Sequence, residues 1–256
     1  MTDEERLAEG VVRVGPSEES RQRLLRLITK SFCRELIDYG VGVRDLLKVS
    51  SHILEFASYQ TDHPQPGAES AFRRFGLKDI RADGDSYRMG TTVLRPFSAD
   101  HLGLIAKWVA QDEIRNSMLV AFPAEEDELR AHMESPDRTY HMILRNGEPS
   151  GLIGAEEIDR NSQRVEMRKF IGEKDMRGRG LGTEATFLWL HHAFDVLEFN
   201  KVYIHTQYAN ARNIRVNRSL GFELEGVLSE ERLLGGCFVD VIRMGLLRRT
   251  WNSLTH

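Results

Sequence analysis

Cysteine is scarce. Only Cys33 and Cys237 occur among 256 residues, far apart in the chain. Two such thiols give neither a disulfide framework nor a CxxC metal pair, and they read as inert thiols of a reducing compartment. Long apolar runs are missing too: none approaches the ~20 residues needed to span a bilayer. The opening Met1-Thr2-Asp3-Glu4-Glu5-Arg6 is acidic and polar, unlike a signal peptide. A cytoplasmic protein with no membrane partner is expected. There is no basic excess either. A net charge of -4 and a pI near 6.2 leave no global field for nucleic acid. No HExxH or other metal-ligand spacing occurs, so no metal is expected.

What is present is ordinary for a folded chain: 41% hydrophobic and 29% charged residues. The length suits one large domain or two smaller ones. From Ser17 to about Gln60 the pattern is helical. Leu24, Leu25, Ile28, Phe32, Leu36 and Ile37 recur at three- and four-residue spacing and stop at Gly40. A second helix is expected from Val43 to Tyr59. Thr61 to Asp85, with His63-Pro64-Gln65-Pro66-Gly67, reads as linker around one short helix near Ser70 to Phe75.

After Tyr87 strands and helices alternate. A strand at Thr91–Leu94 precedes a helix capped at Ser98 or Asp100, and another helix follows Pro123. Asn146-Gly147 between two apolar runs is a strong hairpin signal. A strand from Val165 to Ile171 enters the turn Arg177-Gly178-Arg179-Gly180-Leu181-Gly182, and a long helix begins there. Lys201–Thr206 is a strand and Ala211–Leu220 a helix. Phe222–Leu234 and Phe238–Leu247 close as an antiparallel pair. The fold class is α/β (α+β), a mixed sheet with helices on its faces. The expected domains are an N-terminal helical extension with linker (1–88) and a C-terminal domain (89–256).

Strand, glycines and helix N-terminus together form the general arrangement for holding phosphate, because free backbone N–H groups and the helix dipole converge on one anion. Arg177 and Arg179 add cationic charge. The spacing is neither a Walker loop nor GxGxxG.

Arg177 to Ala185 resembles the pyrophosphate signature Q/R-x-x-G-x-G/A of the GNAT superfamily. Ile171 to Met176, Asn210 to Val216, Ser219-Leu220-Gly221-Phe222 and Gly236 to Val241 are similar to its RimJ/RimL-type branch. The resemblance covers about Thr91 to Trp251. It implies a mixed GNAT sheet and transfer of acetyl from acetyl-CoA, as cosubstrate, directly to an amine. The amides of Arg177, Gly178, Arg179, Gly180, Leu181, Gly182 and Thr183 would take the pyrophosphate. Backbone groups of Phe170 and Ile171 would pair with the pantetheine arm or serve the oxyanion. Asn210 and Asn213 would face the cofactor from the other wall. Glu166 is the candidate base. Many members carry a tyrosine acid where this chain has Asn217, and others a serine where it has Asn213. Either the CoA thiolate leaves unaided or Tyr208 substitutes.

The leading expectation is a small-molecule amine acceptor: an amino sugar, polyamine, aminoglycoside or biosynthetic intermediate. The alternatives are a protein N-terminus of the ribosomal type and a non-catalytic CoA sensor. The N-terminal helices would cover the acceptor cleft or form a homodimer interface, with docking of a carrier protein as the other reading. His205 reads as pocket wall, and Phe187 and Trp189 as core.

Overall fold

A computed structural model describes residues 18–42, 45, 46, 49, 53, 71–117, 122, 123, 125–207 and 210–255. The chain divides into two compact units, 1–53 and 54–256. In the first, helix α1 (Glu18–Asp38) closes where Val41 N–H reaches the Leu36 carbonyl at 2.9 Å. Its expected apolar face stands exposed at Leu25, Ile28, Phe32 and Ile37. The helix expected over 43–59 falls mostly outside the described residues.

The second unit is built on one nine-stranded sheet in the order β1-β2-β3-β4-β5-β6-β7-β9-β8. Its strands are β1 (Arg81–Asp83), β2 (Ser86–Met89), β3 (Thr92–Pro96), β4 (Thr139–Arg145), β5 (Glu148–Asp159), β6 (Arg164–Ile171), β7 (Lys201–Thr206), β8 (Glu223–Leu234) and β9 (Cys237–Leu247). All neighbours are antiparallel except β6 and β7. The helices are α2 (Ala71–Arg74), α3 (Leu102–Val109), α4 (Asp112–Ser117), α5 (Glu126–Met133), α6 (Leu181–His191), α7 (Ala211–Ser219) and α8 (Arg248–Thr255).

Both sheet faces are covered, so the central strands are apolar on both sides. Leu94, Ile143, Ile153 and Met167 pack with α6 and α8. Their alternates Val93, Met142, Leu152 and Phe170 pack with α3 and α5. That is the period of two that strand pleating imposes. The hairpin at Asn146-Gly147 forms as its sequence predicts, with φ of 53° and 91°.

The short helix expected near Ser70 to Phe75 forms as α2, but the residues from there to Asp85 are ordered structure rather than linker. Phe72 packs edge-on to Phe187 and Trp251, and Tyr87 is buried. β1 and β2 extend the sheet, so the compact unit begins upstream of the expected boundary at 88/89. α4 and α8 were not anticipated either. Their apolar residues are too few to give a period, and α8 is held chiefly by the buried Trp251.

Candidate active site

The site begins with a pairing that stops. β6 and β7 register at Arg164–Lys201, Val165–Val202 and Glu166–Tyr203 only. Beyond Glu166 the strands part, while β6 stays paired to β5 as far as Ile171 and β7 to β9 as far as Thr206. The gap opens a cavity of about 360 Å³, walled by β6 from Glu166 to Ile171, by the glycine turn and by α7.

The backbone of β6 alternates across this gap. Gly172 N–H bonds the Ser150 carbonyl at 2.8 Å. The antiparallel ladder therefore turns Phe170 and Arg168 toward β5, and the amides of Ile171, Lys169 and Met167 into the gap. Of the two residues expected to offer backbone, Ile171 faces the cavity. Phe170 puts its ring against Trp108, with centroids 6.1 Å apart.

Gly178 and Gly180 both hold φ = 85°, a region costly for any residue with a Cβ. Among the described residues the N–H groups of Gly178 to Gly182 have no protein partner. The flanking amides do: Arg177 N–H bonds the Lys174 carbonyl and Thr183 N–H that of Gly180. The amides left without a protein partner are thus fewer than the seven expected from Arg177 to Thr183. The Arg177 side chain is spent on structure. It bonds Glu113 at 2.9 Å, Gln111 at 2.7 Å and the carbonyls of Ile171 and Gly172 at 2.9 and 3.0 Å. Arg179 is exposed and makes no ion pair among the described residues.

Arg212 was missed from sequence. It stands on the first turn of α7 with its guanidinium 3.1 Å from where a Cβ on Gly178 would lie, and it too has no ion-pair partner among the described residues. Its neighbour Asn210 was the one signal. Asn210 caps α7 through Asn213 N–H at 3.2 Å. These unpaired donors and cations suit a diphosphate.

At the other end of the gap Glu166 is 1% exposed. Its Oε1 lies 3.0 Å from Arg168 Nη2 and 3.3 Å from His205 Nδ1, and its Oε2 has no hydrogen-bond partner among the described residues. Arg168 is shared with Glu156, at 2.6 Å. Burial works against ionised Glu156, but hydrogen bonds from His132 and Tyr140 and the Arg168 charge hold its carboxyl below the usual range. Burial and the Glu156 charge drive the Tyr140 hydroxyl upward.

Asn217 is fully buried, its Nδ2 donating to the Asn213 carbonyl and Oδ1 at 2.8 and 3.0 Å. Asn213 Nδ2 in turn donates to Thr206 Oγ1 at 3.3 Å. Tyr208 lies outside the described residues. His205 is pocket wall. His191 and His192 go separate ways, the first to Asp195 and the second to the Tyr87 hydroxyl, each at 2.7 Å. No described helix is long and apolar enough to cross a membrane.

Residues 92–223, which contain this cavity, match the family model of the acetyltransferase (GNAT) domain. Over 131 residues, 51% of this chain and 70% of the relative, the sequence is 29% identical to spermidine N(1)-acetyltransferase of Escherichia coli (strain K12). It is 28% identical, over 43% of this chain and 60% of the relative, to a Bacillus subtilis (strain 168) protein named, provisionally, a ribosomal N-acetyltransferase. The Vibrio cholerae spermidine N-acetyltransferase solved with CoA and spermine shares the fold, with a TM-score of 0.59 and 22% identity over 63% of this chain and 98% of that one. The family match spans half of the chain and encloses the parted strands, the glycine turn and Glu166 alike; the chain belongs to the GNAT family of acetyl-CoA-dependent N-acetyltransferases.

Proposed function

We propose that the enzyme acetylates a primary amine of a small polycationic acceptor of the polyamine class, by direct attack on acetyl-CoA within a ternary complex. One observation carries the reading. A single gap has unpartnered amides at one end and, at the other, a buried carboxylate with an open oxygen, Glu166 Oε2. The first end suits a diphosphate and the second an ammonium. The spermidine acetyltransferases among the relatives support the acceptor class.

An alkylammonium of pKa ~10.4 is deprotonated to only about one part in 2,500 at neutral pH, which adds about 5 kcal/mol to the barrier unless a base removes the proton in place. Glu166 takes that proton, directly or through one water. Arg168 lies 3.0 Å from one Glu166 oxygen, and Glu156 balances the arginine. The neutral nitrogen attacks the thioester carbonyl. The backbone N–H of Ile171 or Lys169, turned into the gap, stabilises the oxyanion.

Acceptor-dependent release of CoA thiol tests this across a panel of spermidine, spermine, an aminoglycoside, an amino sugar and a peptide N-terminus. Release with the polyamines and with Glu166→Gln depressed at least about tenfold, most strongly at low pH, is the expected result. Turnover of the peptide alone would replace the acceptor class. A Glu166→Gln profile parallel to that of the wild type would remove Glu166 as base.

A further inference from the structure

Lys169 is the charged group of the cavity that the mechanism above leaves without a task. Three positions on from Glu166, it projects from the opposite face of β6, beneath α6 and α7. Its Nζ donates to Thr186 Oγ1 at 2.6 Å and to Asn217 Oδ1 at 3.3 Å. The Thr186 hydroxyl donates its own hydrogen bond to the Gly182 carbonyl at 2.6 Å, so both acceptors are neutral and fixed. An ammonium has three hydrogens to give; the third has no partner among the described residues. No carboxylate pairs with it there either, whereas Arg168 holds two and Arg177 one. Burial alone draws its pKa down to about 7. An uncompensated cation in a partly buried cavity wall is unfavourable unless an anion comes to it.

The reaction creates such an anion nearby. With the diphosphate at Gly178–Gly182, the arm of the donor runs back along β6 toward Glu166. Its thioester then lies between Ile171 and Glu166, the stretch whose inner wall is Lys169. Asn217, the residue found where an acid is expected, is the one that holds the ammonium.

We propose that Lys169 is a catalytic general acid, donating its unpaired N–H proton to the CoA sulphur as the thioester C–S bond breaks. This rests on the acetyl-CoA reading of the gap. The amine nitrogen forms the new C–N bond, and the sulphur departs with the C–S electron pair and takes the lysine proton. The protons shed by the amine pass to Glu166 and solvent, from which the neutral lysine is recharged. No oxidant or further reactant is required.

The test uses the full chain and free CoA, with no acceptor. Thiolate formation by bound CoA is followed against pH by ultraviolet absorbance, and CoA affinity by calorimetry, for wild type, Lys169→Met and Lys169→Arg. The expected result is at least about tenfold more thiolate at pH 7 on the wild type than in free CoA, since one pK unit is tenfold. Lys169→Met should lose that excess with its CoA affinity within about threefold of wild type. Lys169→Arg should keep the excess, since it keeps the charge, yet in a separate assay lose at least about tenfold in acceptor-dependent turnover, since a guanidinium has no proton to give at useful pH; undiminished turnover would overturn the role as acid. An unshifted thiol on a wild type that binds CoA would overturn the role of Lys169 alone. Failure of the wild type to bind CoA would overturn both this role and the reading of the gap.

Discussion

Arg177 and Arg212 show how residue type and residue role separate. Sequence places Arg177 in the phosphate signature, yet its guanidinium is saturated by Glu113, Gln111 and two carbonyls. Arg212, unremarked in the sequence, faces the turn. Arg212→Ala should therefore weaken CoA binding about tenfold or more, the worth of one charged hydrogen bond, while leaving the melting temperature in place. Isothermal calorimetry alongside a thermal scan checks both halves. An equal loss of stability would make Arg212 a structural cation. Gly180→Val forces a β-branched residue to φ = 85°. Strain of about 1–3 kcal/mol there should raise the Kd for CoA roughly five- to hundredfold. Unaltered affinity would take the turn out of the site.

At the scale of elements, the seam between α3 and the entry to the glycine turn is the tightest contact. A Cβ on Gly172 would lie 2.1 Å from the Trp108 ring, whose Nε1 donates to Glu173 at 2.9 Å. Gly172→Ala should lower stability by about 1–3 kcal/mol, the range for overpacking a core; an unchanged urea midpoint would show that the seam gives way freely. The elements legible in sequence are those whose signal is local. β3 to β9 carry alternation or continuous apolar runs between turn residues, and α6 follows its glycines. β1 and β2 are short and polar on one side, with burial patterns that a run of charges conceals. The same holds for the site. Gly178 to Gly182 are marked by spacing and Glu166 by the family resemblance, whereas Lys169 reads as one more strand charge. Its isolation depends on Thr186 and Asn217, which meet it only through tertiary packing.

Across the whole molecule, a histidine cluster joins the sheet to α6. The rings of His141 and His192 meet edge to face with centroids 4.9 Å apart, and Tyr87 is bonded to the latter. Burial, then the neighbouring His192, draws His141 down to about 4, and burial lowers His192 as well. The unfolded chain, with ordinary histidines near 6.5, thus binds protons that the fold refuses. Stability is complete above about pH 6.5 and is lost as pH falls toward 4, by about 3 kcal/mol for His141 alone. Urea midpoints at pH 7.5 and 5 should differ in that direction. His141→Leu should shrink the difference, and a midpoint indifferent to pH would contradict it.

The parting of β6 and β7 has a consequence for how this enzyme can change. A donor socket formed from main-chain amides would tolerate most side-chain substitutions, apart from the glycines that must stay bare and the Arg212 cation that faces them. Trp108 of α3 and Glu113 of α4 brace the entry to the glycine turn, so the far face of the sheet can change without disturbing it only where those two contacts are kept.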